Sequence, residues 1–296
     1  MPRHKSLIIL SEKSSGSSAL QHLLASIGDV RHVLKTRHCE NETLYWTKAA
    51  SVLGMPQLDM VDSEVPISRG NARADLITML SDNLDGYVPP EDDRTLIMDG
   101  WARLCRQHAP VFLEKSPHHL CQQSALMLIL QSMQELRDVD FLLVGLVRNP
   151  MDTIYSQYQR WKSRPDRVQQ QWLVAYRNLL RLKDSVGERL VIVRYEDMIG
   201  SLAALQPVLD FCGCDAAGLA PDFFHGKSVS KWKNDPLFGF MPSDDLVDLA
   251  ASYGYGREQL RNEPNPLWPL VREFSRARHK AVAPLKQMAK QALRQA

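Results

Sequence analysis

The chain lacks the sequence features of several large protein classes. No apolar run in its 296 residues approaches the length of about 18 that a membrane-spanning helix needs. Its five cysteines are odd in number and none belongs to a C-x-x-C pair, so neither a disulfide framework nor a zinc site is predicted. The G-x-x-x-x-G-K-[ST] loop of nucleoside triphosphatases is also missing, which excludes that way of holding a nucleotide.

The apolar stretch near the N-terminus and the cysteine pattern predict the compartment in which the protein works. The apolar stretch near the N-terminus, Leu7–Leu10, is too short for the apolar part of a secretory signal. A cysteine pattern without a disulfide framework favours a reducing compartment. The sequence therefore predicts a cytoplasmic protein.

The composition is that of an ordinary globular protein. Hydrophobic residues make up 44% of the chain and charged residues 24%, which suffices for a large buried core. No second-domain boundary is evident in the composition. Residues 1–296 are therefore predicted to form a single domain.

Short apolar runs that are typical of strands alternate with helical patterns. The predicted strands are Leu7–Leu10, Leu96–Met98, Val111–Leu113, Phe141–Val147 and Leu190–Val193. The predicted helices are 17–27, 122–136, 150–161, 169–183 and 202–211. Such alternation predicts an α/β fold with a parallel β-sheet flanked by helices, in which ligands bind at the carboxyl ends of the strands.

The first predicted strand runs directly into a Ser/Gly turn, Ser14–Ser18, that opens a helix. The backbone N–H groups of the turn and the unpaired first N–H groups of the helix then point at one spot, where the helix dipole favours negative charge. Gly16 lets an anion approach the backbone, and Lys13 adds a full positive charge. These features predict an anion site. The alternative is a serine-rich linker, which is not usually placed between an apolar strand and an amphipathic helix.

A second anion site is predicted after the strand Phe141–Val147. Asn149 is a favourable N-cap and Pro150 a favourable first helical residue, so Arg148 leaves the strand where a helix begins. Ser156 lies about two turns into that helix, on a face that Arg148 can share. An arginine fork with a hydroxyl can hold a phosphate, whereas the structural alternative for Arg148 is a surface salt bridge.

Several segments of the chain, in order, resemble the motifs of sulfotransferases that use 3′-phosphoadenosine 5′-phosphosulfate (PAPS). Ser14–Ser18 resembles the family's 5′-phosphosulfate loop, [KR]-S-G-[ST]-[ST], although Ser14 stands where the family has a base and Lys13 lies one position earlier. Arg148 with Ser156 resembles the 3′-phosphate motif. The remaining matches are a Y-E-D sequence after a strand (Tyr195–Asp197), a leucine-rich helix ending in F-x-G (202–213) and a late W-[KR] segment (Ser230–Asn234).

The resemblance implies a P-loop NTPase-like sulfotransferase fold and transfer of a sulfuryl group from PAPS to a hydroxyl or amine acceptor. It implies 3′-phosphoadenosine 5′-phosphate (PAP) as the product and no required metal. The residues implied to bind the nucleotide are Lys13, Ser14, Ser15, Gly16, Ser17, Ser18, Arg148, Ser156, Tyr195, Lys231, Trp232 and Lys233. Lys231–Lys233 lies in a predicted long loop, 221–242, that would order over the nucleotide; the alternative is that Trp232 anchors this loop in the core.

The catalytic residues are implied by the segment 112–120, which resembles the E-K-[ST]-P-x-H stretch of bacterial sulfotransferases. The acceptor proton needs a base, and a histidine suits this role, so His118 is the predicted base with Glu114 in reserve. Charge develops on the oxygen that bridges sulfur and the 5′-phosphate, where Lys115 and Lys13 are predicted to stabilise it. The alternative for the histidines is a polar helix N-terminus.

Two regions lie outside the motifs. Region 29–109 is expected on the acceptor side, and within it Thr36–Trp46 either lines the acceptor pocket or begins a surface helix. The C-terminal segment 267–296 is basic, with seven Lys or Arg and one acid from Arg272 onward. It predicts a helix that contacts an acidic partner or a membrane surface, or one that packs its apolar stripe on the body of the protein.

The expected acceptor is a small molecule, a glycan or a lipid. No nucleic-acid partner is predicted, because the basic residues are not accompanied by aromatic stacking motifs. Two other functions stay open on the sequence. A nucleotide or small-molecule kinase would need a Walker lysine and carboxylates for magnesium, and a non-catalytic nucleotide-binding scaffold would be compatible with Ser14 in the loop.

Overall fold

The computed structural model describes residues 4–214, 219 and 228–295, the last 13 of these without their side chains. Two units are present. The first contains residues 1–148 and 171–226, and the second contains residues 149–170 and 227–296. The single domain expected over residues 1–296 stays a prediction.

A parallel sheet forms the centre of the first unit. Its five strands are β1 (His4–Ser11), β2 (Val30–Arg31), β3 (Val111–Lys115), β4 (Val139–Val147) and β5 (Leu190–Arg194). They lie in the order β2-β3-β1-β4-β5, so that β1 is central, with Leu7 opposite Leu113 of β3 and Leu142 of β4. The α/β fold predicted from the alternating pattern is confirmed.

The helices follow most of the predicted positions. In the described residues they are α1 (Ser17–Ala25), α2 (Tyr45–Val52), α3 (Arg69–Asn83), α4 (Asp93–Gln107), α5 (Gln123–Glu135), α6 (Pro150–Trp161), α7 (Pro165–Val186), α8 (Tyr195–Gly200), α9 (Gln206–Cys212), α10 (Asp244–Ala251), α11 (Arg257–Leu260) and α12 (Trp268–Gln295). The prediction for 202–211 is corrected in part, since a 3-10 helix (Leu202–Leu205) precedes α9. None of the described helices combines the length and apolar character that crossing a membrane requires.

The predicted strand Leu96–Met98 is wrong, because these residues belong to α4. Asp92 caps that helix by accepting a hydrogen bond of 2.7 Å from the backbone N–H of Thr95. Both sides of the helix are covered at this point, since α4 packs against β1, β3 and α3. Three consecutive apolar residues are therefore buried in a helix as completely as they would be in a strand.

The connections of β1 and β4 determine where a ligand can bind. After β1 the chain continues to β2, at one edge of the sheet, and after β4 it continues to β5, at the opposite edge. The carboxyl ends of β1 and β4 therefore flank a crevice at a topological switch point. The turn after β1 and Arg148 after β4 lie at this point.

The second unit has its own aromatic core. The ring of Phe238 packs edge-on against Tyr155 of α6 at 4.9 Å and Trp268 of α12 at 5.1 Å between centroids. Asp235 accepts a hydrogen bond of 3.0 Å from the Tyr155 hydroxyl, and Asp152 accepts one of 2.7 Å from the backbone N–H of Ser230. These contacts hold the segment 228–238 to α6.

Candidate active site

The turn after β1 presents the open end of a helix. Gly16 is the N-cap of α1 and has no side chain, so no side-chain cap occupies the first N–H groups, and the first turn carries no acidic residue. The hydroxyl of Ser15 donates a hydrogen bond of 2.6 Å to the backbone carbonyl of Glu12, which closes the turn on itself. The arrangement supports the anion site predicted for Ser14–Ser18.

Tyr195 packs directly on the turn. Gly16 adopts φ +94°, which favours glycine, and a Cβ built on it would overlap the Tyr195 ring. Tyr195 is the first residue of α8 and is 5% exposed. The glycine is therefore needed both for its backbone conformation and for the close approach of the ring.

Arg148 connects the end of β4 to the same turn. Its Nη1 donates a hydrogen bond of 2.8 Å to the backbone carbonyl of Ser14, and its guanidinium lies 4.7 Å from the centroid of the Tyr195 ring. The side chain is 6% exposed. Arg148 is thus buried and not a surface residue, and the turn, Arg148 and Tyr195 form one cluster.

Glu12 is a residue that the sequence reasoning missed. A carboxylate in an anion-binding turn would repel the ligand, but this one is fully buried. Its oxygens accept hydrogen bonds of 2.5 Å from Gln171 Nε2 and 3.2 Å from Cys121 Sγ. Burial, together with the charge of Glu12, raises the pKa of the Cys121 thiol well above its usual range, so the thiol stays protonated as a donor.

The two predicted lysines occupy different places. Lys13 Nζ donates hydrogen bonds of 2.8 and 2.9 Å to the backbone carbonyls of Val61 and Asp62, and burial lowers its pKa. Lys115, at the end of β3, has Nζ 3.4 Å from the Ser18 hydroxyl on the first turn of α1. Lys115 is therefore the ammonium that the structure brings to the helix N-terminus, and the role of Lys13 stays a prediction.

Glu42 joins Lys115 to His118, and sequence reasoning gave it no part in catalysis. Its Oε1 lies 3.1 Å from Lys115 Nζ, and its Oε2 lies 4.0 Å from His118 Nδ1. Burial raises the pKa of Glu42 against the opposing effect of Lys115. The signal in the sequence was the polar density of segment 36–46, which gives no indication of which acid faces the site.

His118 is buried in a cationic environment. It is 7% exposed, and its Nδ1 has no hydrogen-bond partner among the described residues. Its pKa lies well below the usual range, first because of burial and then because of the positive charges of neighbouring groups, Lys13 foremost. The imidazole is therefore neutral near pH 7 and can accept a proton.

His119 and Glu114 form a second buried cluster, in which Glu114 Oε2 has no hydrogen-bond partner among the described residues. Glu114 Oε1 lies 3.2 Å from His119 Nε2 and accepts hydrogen bonds of 2.7 Å from Thr43 and 2.5 Å from Ser116. Burial acts to raise the pKa of Glu114, but His119 and the two hydroxyls outweigh it, so the pKa is lowered. Glu114 is 1% exposed, and this position favours His118 over Glu114 as the group that meets an acceptor.

Segment 36–46 is divided between two environments. Tyr45 and Trp46 begin α2 and are fully buried, so the surface-helix interpretation is wrong for them. Thr36 and Arg37 instead line a cavity with a volume of about 350 Å³. This part of the segment agrees with the alternative in which it lines a pocket.

Four of the predicted nucleotide-binding residues lie in the second unit, namely Ser156, Lys231, Trp232 and Lys233. Ser156 is half-buried on α6. Trp232 is 1% exposed in a 3-10 helix (Lys231–Asn234), as in the alternative in which it anchors the loop, and Lys231 and Lys233 are exposed. Residues 221–227 of the predicted loop lie outside the described residues.

Metal ligation has no support in the described part of the chain, where no group of three or more His, Cys, Asp or Glu is arranged to hold an ion. A family model described as the sulfotransferase family matches residues 6–217, a range that contains β2 to β5 and all of β1 except its first two residues. No curated protein matches the chain.

Proposed function

The chain belongs to the sulfotransferase family, and from this premise we propose that it transfers the sulfuryl group of PAPS to a hydroxyl or amine of an acceptor. One observation carries the proposal: the open N-terminus of α1, Lys115 and Arg148 converge on the turn at the switch point of the sheet. Amide donors and two cations at one strand edge suit a ligand with several negative charges.

The nucleotide carries anions at two ends, and two sets of residues are available for them. The turn amides with Lys115 suit the 5′-phosphosulfate. Arg148, whose planar fork of donors suits a phosphate, is proposed for the 3′-phosphate. The parts assigned to Lys13, Ser156, Lys231, Trp232 and Lys233 remain predictions.

PAPS supplies a sulfuryl group whose transfer leaves negative charge on the oxygen of the 5′-phosphate. Lys115 is placed to stabilise this charge from the first turn of α1. The imidazole of His118 is neutral, so its Nδ1 or Nε2 can take up the proton that the hydroxyl or amine of the acceptor loses. Cations such as Lys13 and Lys115 contribute to the low pKa of His118. The negative charge of a bound nucleotide offsets these cations, so the pKa of His118 rises on binding and the imidazole becomes a stronger base.

A kinase and a non-catalytic nucleotide-binding scaffold are the two alternative functions. A kinase would need the Walker loop that the sequence lacks. A scaffold that binds nucleotide without turnover would retain the turn, Arg148 and Tyr195.

The cytoplasmic location also remains a prediction.

Calorimetry with PAP, AMP and ATP tests the nucleotide. PAP should bind much more tightly than AMP, and Arg148→Ala should weaken PAP binding by about 2–5 kcal/mol, the effect of removing a buried charged partner. Affinity for AMP should change far less, because AMP has no 3′-phosphate. Equal affinities of the wild-type protein for PAP and AMP would contradict the assignment.

Turnover is tested with ³⁵S-labelled PAPS and fractionated host extract. Label should move to a molecule of the extract, and the identity of that molecule defines the acceptor. PAP binding without any transfer of label would favour the scaffold instead.

A further inference from the structure

A buried lysine on α2 lacks a hydrogen bond. Lys48 is 2% exposed, and its Nζ makes no hydrogen bond to any residue in the described part of the chain. Its nearest charged partner is Asp75 Oδ2 at 4.0 Å, which is beyond hydrogen-bond distance. A buried ammonium without hydrogen bonds is unfavourable, and burial accordingly lowers the pKa of Lys48 to about 8.

Asp75 is already in an ion pair with another cation, although its Oδ2 makes no hydrogen bond within the described residues. Its Oδ2 lies 2.6 Å from Arg37 Nε, whose guanidinium also reaches Glu64 Oε2 at 2.5 Å. Arg37 therefore has a carboxylate oxygen of Asp75 and one of Glu64 close to it, whereas the nearest carboxylate oxygen to Lys48 is the same Asp75 Oδ2, at 4.0 Å. The arrangement leaves Lys48 as the cation with the poorest compensation.

Lys48 faces a cavity of about 350 Å³ that lies wholly within the first unit. The cavity is lined by Lys35, Thr36, Arg37, Lys48, Asp75, Thr78, Met79 and Asp82. Three of these side chains are cationic and two are anionic, so the lining has an excess of positive charge. Its volume is in the range of cavities that hold small molecules.

The cavity adjoins the candidate active site through α2. Thr47, the residue before Lys48, has its hydroxyl 2.9 Å from His119 Nδ1. The backbone N–H of Leu44, at the N-terminus of the same helix, donates 2.9 Å to the Ser116 hydroxyl. A molecule held at Lys48 is thus positioned by the helix that also fixes the segment Glu114–His119.

We propose that this cavity binds an acidic group of the acceptor, a carboxylate, sulfate or phosphate, with Lys48 as the hydrogen-bonding cation and Lys35 at its rim. The proposal rests on the proposed function, since it defines the acceptor as an anionic molecule. A charge that no ligand uses would be better replaced by an apolar side chain, because Asp75 keeps Arg37 as its partner.

Inorganic sulfate is the probe for the site, because its charge is constant over the pH range used. The full chain is first saturated with PAP, which occupies the turn, and sulfate binding is then followed by the shift in thermal unfolding. Lys48→Met should weaken sulfate binding at least about 30-fold, as expected for loss of a buried charged partner. Lys183→Met, on the exposed surface of α7, is the matched control and should bind sulfate as the wild type does.

Lys48→Met should fold and be at least as stable as the wild type without sulfate. Lys48→Gln serves as the second variant. If sulfate binds equally to the wild type and to both variants, water rather than an anion is the partner of Lys48, and the proposal is overturned.

The pH dependence gives an independent readout. Sulfate affinity of the wild type should fall as the pH rises past about 8, where Lys48 loses its proton, and the fall should be absent from Lys48→Met. The charged and titratable groups around Lys48 are Asp75 and Asp82 on α3, Lys35, Arg37 and His38 before α2, Glu64 after it, and Glu114 on β3. The pKa of Lys48 lies at about 8, whereas burial and the charges of Lys48 and Arg37 lower the pKa of His38 to about 4.

The source of the anion is distinguished by the labelled product. After removal of the transferred sulfate, the acceptor should still bind an anion-exchange resin. A neutral acceptor combined with sulfate binding at Lys48 would mean that the cavity takes a free anion, which overturns the assignment to the acceptor. Failure of PAP to bind would contradict the proposed function, whereas PAP binding without a sulfate effect at Lys48 contradicts only the role of the cavity.

Discussion

His118 carries the proposed proton transfer, and its replacement separates chemistry from binding. His118→Ala should lower kcat by about 10²–10⁴ while PAP affinity stays nearly unchanged, as expected for loss of a general base. In the wild type, turnover should fall toward acidic pH as the imidazole becomes protonated, and this limb should disappear in the variant. Steady-state kinetics across pH with calorimetry of PAP measure both quantities.

Glu114→Gln is the companion variant. It removes the buried carboxylate that accepts hydrogen bonds from Thr43 and Ser116 and lies 3.2 Å from His119, so we expect mainly a loss of stability, about 1–3 kcal/mol for buried polar groups left with poorer partners. If His118→Ala instead retains near wild-type turnover and folded Glu114→Gln does not, Glu114 is the base.

Gly16 offers a residue-scale test of the turn. Gly16→Ala and Gly54→Ala both place a side chain at positive φ, +94° and +68°, and should each cost about 1–2 kcal/mol of stability for that reason. Only Gly16 faces the Tyr195 ring; the position at Gly54 is open. Chemical denaturation should therefore show a larger loss for Gly16→Ala, with a loss of PAP affinity that Gly54→Ala lacks. Equal losses would mean that Tyr195 moves aside without cost.

At the scale of the element, α12 is the part of the chain that suits the expected acidic partner or membrane surface. Leu270 and Phe274 are 71% and 72% exposed and lie four residues apart, on one face of the helix. The basic side chains of Arg272 and Arg276 lie on the same stretch. An exposed apolar pair beside cations is typical of a helix that lies on an anionic lipid surface.

Vesicle sedimentation tests this expectation with the full protein. Vesicles containing phosphatidylserine should bind the wild type, neutral vesicles should bind it much less, and Phe274→Ser should weaken the binding. Val88→Ser removes an equally exposed apolar side chain of the first unit and should have no effect. Binding that Phe274→Ser leaves unchanged would remove α12 from the contact.

Strands and helices were predictable from sequence to different degrees. The strand at Leu7–Leu10 could be predicted because both faces of a central parallel strand are covered, which produces a continuous apolar run. The run Leu96–Met98 has the same appearance but belongs to a helix, because α4 is covered on several sides. Short apolar runs do not distinguish the two cases, and the N-cap at Asp92 was the available signal.

The candidate site was predictable where the residues of a single segment determine the local backbone conformation. The turn at Gly16 and the helix start at Asn149 follow from local propensities, and Asn149 does accept from the N–H of Met151 at 2.9 Å. The contact of Glu42 with Lys115 joins residues 73 positions apart, and no local pattern encodes it. Glu12 is a second case of the same kind, since Gln171, which donates a hydrogen bond to its carboxylate, lies 159 positions along the chain.

At the scale of the whole molecule, the single domain predicted from sequence requires cooperative unfolding. Helix α7 contributes residues to both units, so melting either unit removes packing from this helix. Differential scanning calorimetry should therefore show one transition, with equal calorimetric and van't Hoff enthalpies. Two resolved transitions would establish the units as separate domains.

The central position of β1 has a consequence for biosynthesis. The strand is made before both of its partners, which are β3 at 111–115 and β4 at 139–147. At roughly 5–20 residues per second, its apolar run stays without a strand partner while about 100 residues are added, roughly 5–20 seconds. Because long-range pairing of this kind is slow, the nascent chain offers Leu7–Leu10 to chaperones well before the sheet can form.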